Sequence, residues 1–259
     1  MKLLLDVGNT RIKWAHCDGG ALVNRGAIRH RGVAMTDWSR ELPSIGSPSE
    51  IIAGNVAGEA VAEGLRIWAR RAFGLEVSFP RAVASAGGIR NAYATPELLG
   101  IDRWLGMIGV RRHCHDPFLL VAAGTALTVD LVDATGRHLG GLIAPGHSMM
   151  IESLKTGTGN IAAAAATADA HSCGMFGTNT AGAITSGANH ALAGLVGQAI
   201  RESVTRCGQV RLFVHGGDTG GVFEIVAAQF GSLLRAGVEP MQDAVLCGLA
   251  VLASSGELS

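Results

Sequence analysis

An α/β fold in two similar halves is what this sequence predicts, and three observations predict it. The apolar run Leu3-Leu4-Leu5-Asp6-Val7 ends at Gly8, and the same outline returns at Leu119-Leu120-Val121-Ala122-Ala123-Gly124, with a further strand-like run after each. Helix-patterned stretches stand between and after these runs. Hydrophobic residues make up 48% of the chain and charged residues 16%, which supplies packed cores and is the opposite of a disordered composition. The length of 259 residues suits two modest domains or one large one.

Taken in order, residues 3–7 read as a buried strand ending in a carboxylate, Gly8-Asn9-Thr10 as a tight turn, and Arg11 to Cys17 as the second arm of a hairpin. Residues 50–56 read as a strand, 58–72 as a helix and 76–83 as a short apolar strand. Thr95 and Pro96 mark a helix start, as N-cap and first helical residue, and that helix is expected to run to about Arg112. Pro117 then precedes a new strand from Phe118, and Leu127 to Val132 forms its hairpin partner. Helices are expected near 178–206 and 241–254, with a strand at 209–215 between them that ends at Gly216-Gly217-Asp218. The alanine-rich stretch from Ile161 to His171 carries no readable chemistry. The division expected is 1–117 and 118–259.

Composition also narrows the functional classes. Basic and acidic residues balance at 21 each, so no broad basic field invites nucleic acid. Five cysteines without a CxxC pair argue against a disulfide framework or zinc ribbon and fit a reducing cytoplasm. The apolar N-terminal run is too short for a signal peptide, and no apolar run reaches the roughly 18 residues of a membrane span. The 37 glycines, about twice the usual share, gather at the ends of apolar runs, where backbone turns tightly or approaches a ligand.

Three segments can carry chemistry. In Asp6-Val7-Gly8-Asn9-Thr10-Arg11-Ile12-Lys13, turn amides can donate to phosphate oxygens, Lys13 can neutralise charge, and Asp6 can hold a magnesium ion directly or through water. The same pattern also describes an ordinary hairpin with Asp6 satisfying turn amides. The second segment is Tyr93 with Gly100-Ile101-Asp102-Arg103-Trp104. A glycine inside a helix costs about 1 kcal/mol relative to alanine, which suggests close packing at Gly100, and a carboxylate beside that gap can take a proton from an attacking hydroxyl. The alternative is a solvated Asp–Arg pair with Trp104 in the core. The third is Gly124-Thr125-Ala126, with Thr128 and Asp130 following. It can bind a phosphate or simply turn the chain.

The duplicated strand, glycine turn and strand resemble the outline of the superfamily of acetate and sugar kinases, heat-shock chaperones and actin. That resemblance implies two ribonuclease-H-like domains with ATP in the cleft between them. A narrower resemblance is to the type III pantothenate kinases. Asp6 to Lys13 is similar to their DxGNTxxK loop, and Tyr93 with Gly100 to Trp104 to their Tyr…GxDRW motif. Gly124-Thr125-Ala126 resembles their second phosphate motif, Gly140 to Gly146 their GGxIxPG segment, and Gly177-Thr178-Asn179-Thr180 the segment with a substrate-contacting threonine.

What the resemblance implies is ATP-dependent phosphorylation of pantothenate, the first step toward coenzyme A, by a cytoplasmic homodimer whose substrate site is shared between subunits. Asp6, Val7, Gly8, Asn9, Thr10, Arg11, Ile12, Lys13 and Thr125 would bind ATP, with magnesium at Asp6. Tyr93, Gly100, Ile101, Asp102, Arg103 and Thr180 would bind pantothenate, with Asp102 the general base. One position departs from the family pattern. Ala122 stands where an Asp is common, so a site for a monovalent cation, potassium or ammonium, lacks its usual ligand.

Two rivals stay open at this level: another small-molecule kinase of the superfamily, and a non-catalytic nucleotide-binding accessory factor. The presence of Asp6, Lys13, Asp102 and Arg103 speaks against the second. Two further segments invite over-reading. His113-Cys114-His115-Asp116 lacks zinc-ligand spacing and suits a helix C-terminus. His215-Gly216-Gly217-Asp218 can approach a nucleotide or be a plain turn with Asp218 as N-cap.

Overall fold

A computed structural model describes residues 1–43, 46–157, 161 and 174–257. The stretch 162–171, most of the alanine-rich segment, lies outside the described residues. The chain forms two compact units, one from Met1–Cys114 with Asp243–Ser259, the other from His115–Gln242.

The first unit is built on strands β1 (Lys2–Val7), β2 (Arg11–Asp18) and β3 (Ala21–Arg29), helix α1 (Met35–Glu41), β4 (Ile51–Asn55), α2 (Glu59–Phe73) and β5 (Val77–Ser78). A two-stranded hairpin, β6 (Ser85–Ala86) with β7 (Ile89–Arg90), a 3-10 turn at Pro96–Leu98 and helix α3 (Ile101–Arg111) follow. The five-stranded sheet has the order β3-β2-β1-β4-β5, with β1 antiparallel to β2 and parallel to β4. Alternation decides what each face holds. Leu3, Leu5 and Val7 join Ile12, Ile51, Ala53, Leu65 and Trp68 in one core. Leu4 and Asp6 therefore face the other way, in register with Ile52 and Gly54 on β4 and with Ala15 and Lys13 on β2.

That second face carries α3. A Cβ at Gly54 would lie 2.7 Å from Leu105 Cδ1 and 3.8 Å from Val245, so the glycine makes room for two helices over the strand ends.

The second unit repeats the plan. Strands β8 (Phe118–Ala123), β9 (Ala126–Val132) and β10 (His138–Pro145), helix α4 (His147–Gly157), the 28-residue helix α5 (Thr180–Cys207), β11 (Val210–Gly216), α6 (Val222–Phe230) and β12 (Leu234–Pro240) give the sheet order β10-β9-β8-β11-β12. Read by chain position within its unit, each sheet has the order 3-2-1-4-5, with the same parallel and antiparallel neighbours. The predicted duplication is therefore real at the level of topology. Leu119, Val121, Leu127 and Val129 pack with Leu192, Val196 and Ile200 of α5 and with Val226 and Phe230 of α6.

The last helix, α7 (Ala244–Ser255), returns to the first unit. The sequence division at 117/118 thus differs from the structure at the C-terminus. The reason is a pair of glycine notches: a Cβ on Gly109 of α3 would sit 2.1 Å from the Ala244 carbonyl oxygen, and one on Gly248 of α7 would sit 2.0 Å from that of Leu105. The two helices meet backbone to backbone.

Three further expectations are revised. The apolar stretch 76–83 pairs only over Val77–Ser78. Asp218 does not cap the following helix, which starts at Val222 with Gly221 as N-cap. The helix expected from Thr95 breaks at Leu99, whose ψ of 128° is extended, and restarts with Gly100 as N-cap. Asp102 consequently lies in the first helical turn.

Candidate active site

The β1–β2 turn is closed by the Gly8 N–H donating to the Arg11 carbonyl at 3.0 Å. Sheet register places Asp6 directly opposite Lys13. Both side chains are half-buried on the α3 face. Asp102 at the start of α3 and Asp243 just before α7 lie close enough to act on Asp6. Burial pushes the Asp6 carboxyl up, Lys13 pulls it down, and Asp102 and Asp243 push it up further, leaving it at about 6. A half-buried carboxylate with two like charges near and one ammonium opposite suits a cationic ligand.

Asp102 is held locally. Its Oδ1 accepts from the Arg103 N–H at 2.9 Å, at a helix N-terminus where the backbone dipole favours negative charge. Gly100 is needed for this arrangement, because a Cβ there would come within 2.8 Å of that same oxygen. Arg103 is buried, with 6% of its surface exposed, which overturns the solvated-pair alternative. Its Nη1 donates to the Tyr93 hydroxyl at 3.1 Å, and the guanidinium carbon lies 6.0 Å from the Tyr93 ring centroid. Tyr93 is anchored in turn by Asn91, whose Oδ1 accepts the Tyr93 N–H at 3.0 Å while its Nδ2 donates to the Val83 and Pro96 carbonyls. The motif thus comes together through an asparagine that the sequence did not single out.

In the second unit the β8–β9 turn carries Thr125, half-buried. Two separate glycine segments close on this turn. Gly146 donates its N–H to the Thr125 carbonyl at 2.9 Å, and a Cβ on Gly146 would meet the Gly124 oxygen at 2.1 Å. Gly216, with φ of 106°, has no room for a side chain either, since a Cβ would lie 2.0 Å from the Ala123 oxygen. The Asp218 N–H donates to that oxygen at 3.1 Å. Its carboxylate accepts from the Ser148 amide at 3.0 Å and hydroxyl at 2.8 Å, tying the start of α4 to the end of β11.

Ala122 pairs with Thr128 on β9 and His215 on β11. Asp130, two positions along β9, is 1% exposed and its carboxylate accepts from His138 Nε2 at 2.9 Å. Thr180 is exposed at the first position of α5, where the Asn179 side chain caps the helix by accepting from the Gly182 N–H at 2.8 Å. Among the described residues no three His, Cys, Asp or Glu side chains are placed to share a metal ion. No helix among them is long and apolar enough to cross a membrane.

Two copies of one sheet topology, each with a glycine turn between its first two strands, define the fold class of actin-like ATPases and sugar kinases. A Streptomyces griseus ROK family glucokinase, solved with glucose and AMPPNP, superposes with a TM-score of 0.50 at 13% identity over 98% of this chain and 99% of its own. Component A of (R)-2-hydroxyglutaryl-CoA dehydratase from Acidaminococcus fermentans gives 0.53 at 12% identity over 99% and 98%. Within that class the sequence match is far closer. The type III pantothenate kinase profile matches residues 2–202, and the Nitrosococcus oceani type III pantothenate kinase is 35% identical over 98% of this chain and 94% of its own. The chain belongs to the type III pantothenate kinase family.

Proposed function

We propose that this protein phosphorylates pantothenate with ATP in the cytoplasm, giving 4'-phosphopantothenate for coenzyme A synthesis. The observation that carries the reading is the family match across residues 2–202, with the motif residues of the first unit gathered at one end of β1. In this reading Asp6 to Lys13 hold the ATP phosphates, Thr125 adds a phosphate contact, and Tyr93, Gly100, Ile101, Arg103 and Thr180 bind pantothenate. Asp102 accepts the proton of the primary hydroxyl as it attacks the γ-phosphate in line. The single carboxylate of Asp6 fits a magnesium ion that keeps most of its ligands as water and phosphate. Bound there, the ion would spread the charge of the transferring phosphoryl group.

Two finer features belong to the same reading. The enzyme is a homodimer in which Thr180 completes the partner's substrate site. Large apolar side chains left exposed in the second unit, Ile143 at 66%, Met175 at 61% and Phe176 at 87%, support a covering partner. Turnover is also independent of potassium or ammonium, because Ala122 offers no anionic ligand and the Asp130 carboxylate is engaged by His138.

The deciding experiment is a phosphorylation assay with pantothenate, ATP and magnesium, run in sodium and then in potassium at fixed ionic strength. The expected outcome is turnover at the same rate in both salts, lowered about 10²-fold or more in Asp102→Asn, the usual scale for a general base. Normal turnover by Asp102→Asn would remove Asp102 from the mechanism. Saturable potassium activation at millimolar concentration would restore a cation site.

A further inference from the structure

His30 lies just after β3, 19 residues beyond the start of β2, and is buried with 6% of its surface exposed. Its Nε2 is 2.7 Å from the carbonyl oxygen of Gly8. A carbonyl only accepts, so Nε2 carries the proton and the tautomer is fixed. The same residue's backbone N–H donates to the Thr10 carbonyl at 3.1 Å, and the Arg31 N–H reaches that oxygen at 3.3 Å. The ring is steadied by the edge of Trp38, 6.4 Å away between centroids.

These contacts grip two peptide groups of the β1–β2 turn, Gly8–Asn9 and Thr10–Arg11, by their oxygens. A trans peptide points its N–H opposite to its C=O. Fixing the two carbonyls toward the His30 segment therefore turns the Asn9 and Arg11 amides the other way. A turn rich in Gly and Asn has many accessible backbone states, and amides that donate to a phosphate bind best when they are already aimed.

We propose that His30 is a positioning residue for ATP, acting through the Gly8–Thr10 turn: its ring proton on the Gly8 carbonyl holds the turn amides in the orientation that receives the phosphates. This rests on the reading of Asp6 to Lys13 as the phosphate loop.

The test compares three variants, His30→Leu, His30→Gln and His30→Asn, with Lys13→Ala, in steady-state kinetics with each substrate varied separately. His30→Leu fills the volume without a donor. Losing one aimed hydrogen bond should raise the KM for ATP about tenfold and leave the KM for pantothenate within about twofold. The Gln side-chain amide reaches as far as Nε2 and should recover most of that loss, whereas the shorter Asn should not. A folded His30→Leu with unchanged ATP KM, or equal losses for both substrates, overturns the proposal. If His30→Leu does not fold, equal ATP KM values for the Gln and Asn variants overturn it instead. Should Lys13→Ala also leave ATP binding untouched, the phosphate-loop reading itself fails. A Lys13→Ala effect without a His30 effect rejects His30 alone.

Discussion

Asp6 ties the stability of the fold to pH. Its carboxyl is raised from the ordinary 3.8 to about 6, chiefly by burial and further by Asp102 and Asp243. The folded protein therefore holds this proton more tightly than the unfolded chain does. The stabilising contribution is full below the unfolded value near 3.8 and is lost as pH rises through about 6. Above that pH the ligand-free enzyme carries an unfavourable buried charge that a cationic ligand would relieve. Asp6→Asn should accordingly raise the melting temperature of the ligand-free protein at pH 7.5 and flatten its dependence between pH 4 and 6, while abolishing turnover. Melting curves across that range, with and without magnesium and ATP, check this. An Asn variant less stable than the parent at neutral pH would show that the Asp6 charge is already compensated in the free protein. The register that sets Asp6 opposite Lys13 was not legible, because the connection spans Gly8 to Arg11 and not only Gly8-Asn9-Thr10, though both residues were legible as arms of one hairpin. Arg103 and Asn91 were less so, since their burial depends on contacts with Tyr93 and the 83–96 loop that sequence spacing does not encode.

At the scale of elements, the long regular pieces were readable and the joints were not. Helices at Glu59–Phe73, Thr180–Cys207 and Ala244–Ser255 fall close to their expected positions, because apolar periodicity persists over several turns. The break before α3 was missed. Thr95 and Pro96 are good initiators, and only the extended backbone of Leu99 and the N-cap role of Gly100 show that they start a 3-10 turn. Strand β3 was missed too: most of its residues are exposed, so no apolar alternation marks it. The glycines between α3 and α7 carry more information than their number suggests. With each hypothetical Cβ about 2 Å from a backbone oxygen of the facing helix, neither position admits alanine without separating the helices. Gly109→Ala and Gly248→Ala should each destabilise by about 1–3 kcal/mol, as overpacked cores do. Gly194, on the α5 surface with nothing within 4 Å of a Cβ, should tolerate the same change or gain slightly from the better helix former. Denaturant melts of the three variants distinguish a tight interface from a loose one, which would leave all three alike.

For the molecule as a whole, the duplicated topology was visible in the repeated strand and turn, but the return of the chain to its first unit was not. The signal for that return is the complementary pair of glycine notches, which acquires meaning only once two distant helices are seen to face each other. The remaining question at this scale is assembly. Residues 174–177 lie along the first turns of α5. Ser186 Oγ donates to the Gly174 and Met175 carbonyls, and Gly177 is so close that a Cβ would be 2.2 Å from the Ala183 nitrogen. Backbone is thus spent on the helix while Met175 and Phe176 project outward, four or five residues before Thr180. A side chain as large as Phe176 left 87% exposed gains roughly 25 cal/mol per Å² of apolar surface when a partner covers it. If the chain pairs as proposed, Phe176→Ser should weaken that homodimer and lower turnover together, read by sedimentation and by assay on the same samples. Complementation tests the shared site. Asp102→Asn and Thr180→Arg proteins, each inactive, are dissociated and reassembled as a mixture. If each site joins Asp102 of one subunit with Thr180 of the other, random heterodimers regain one intact site in two. As half of the dimers formed from an equal mixture are heterodimers, about a quarter of the parental activity should return. Verified heterodimers without activity would mean that every site is completed within one chain.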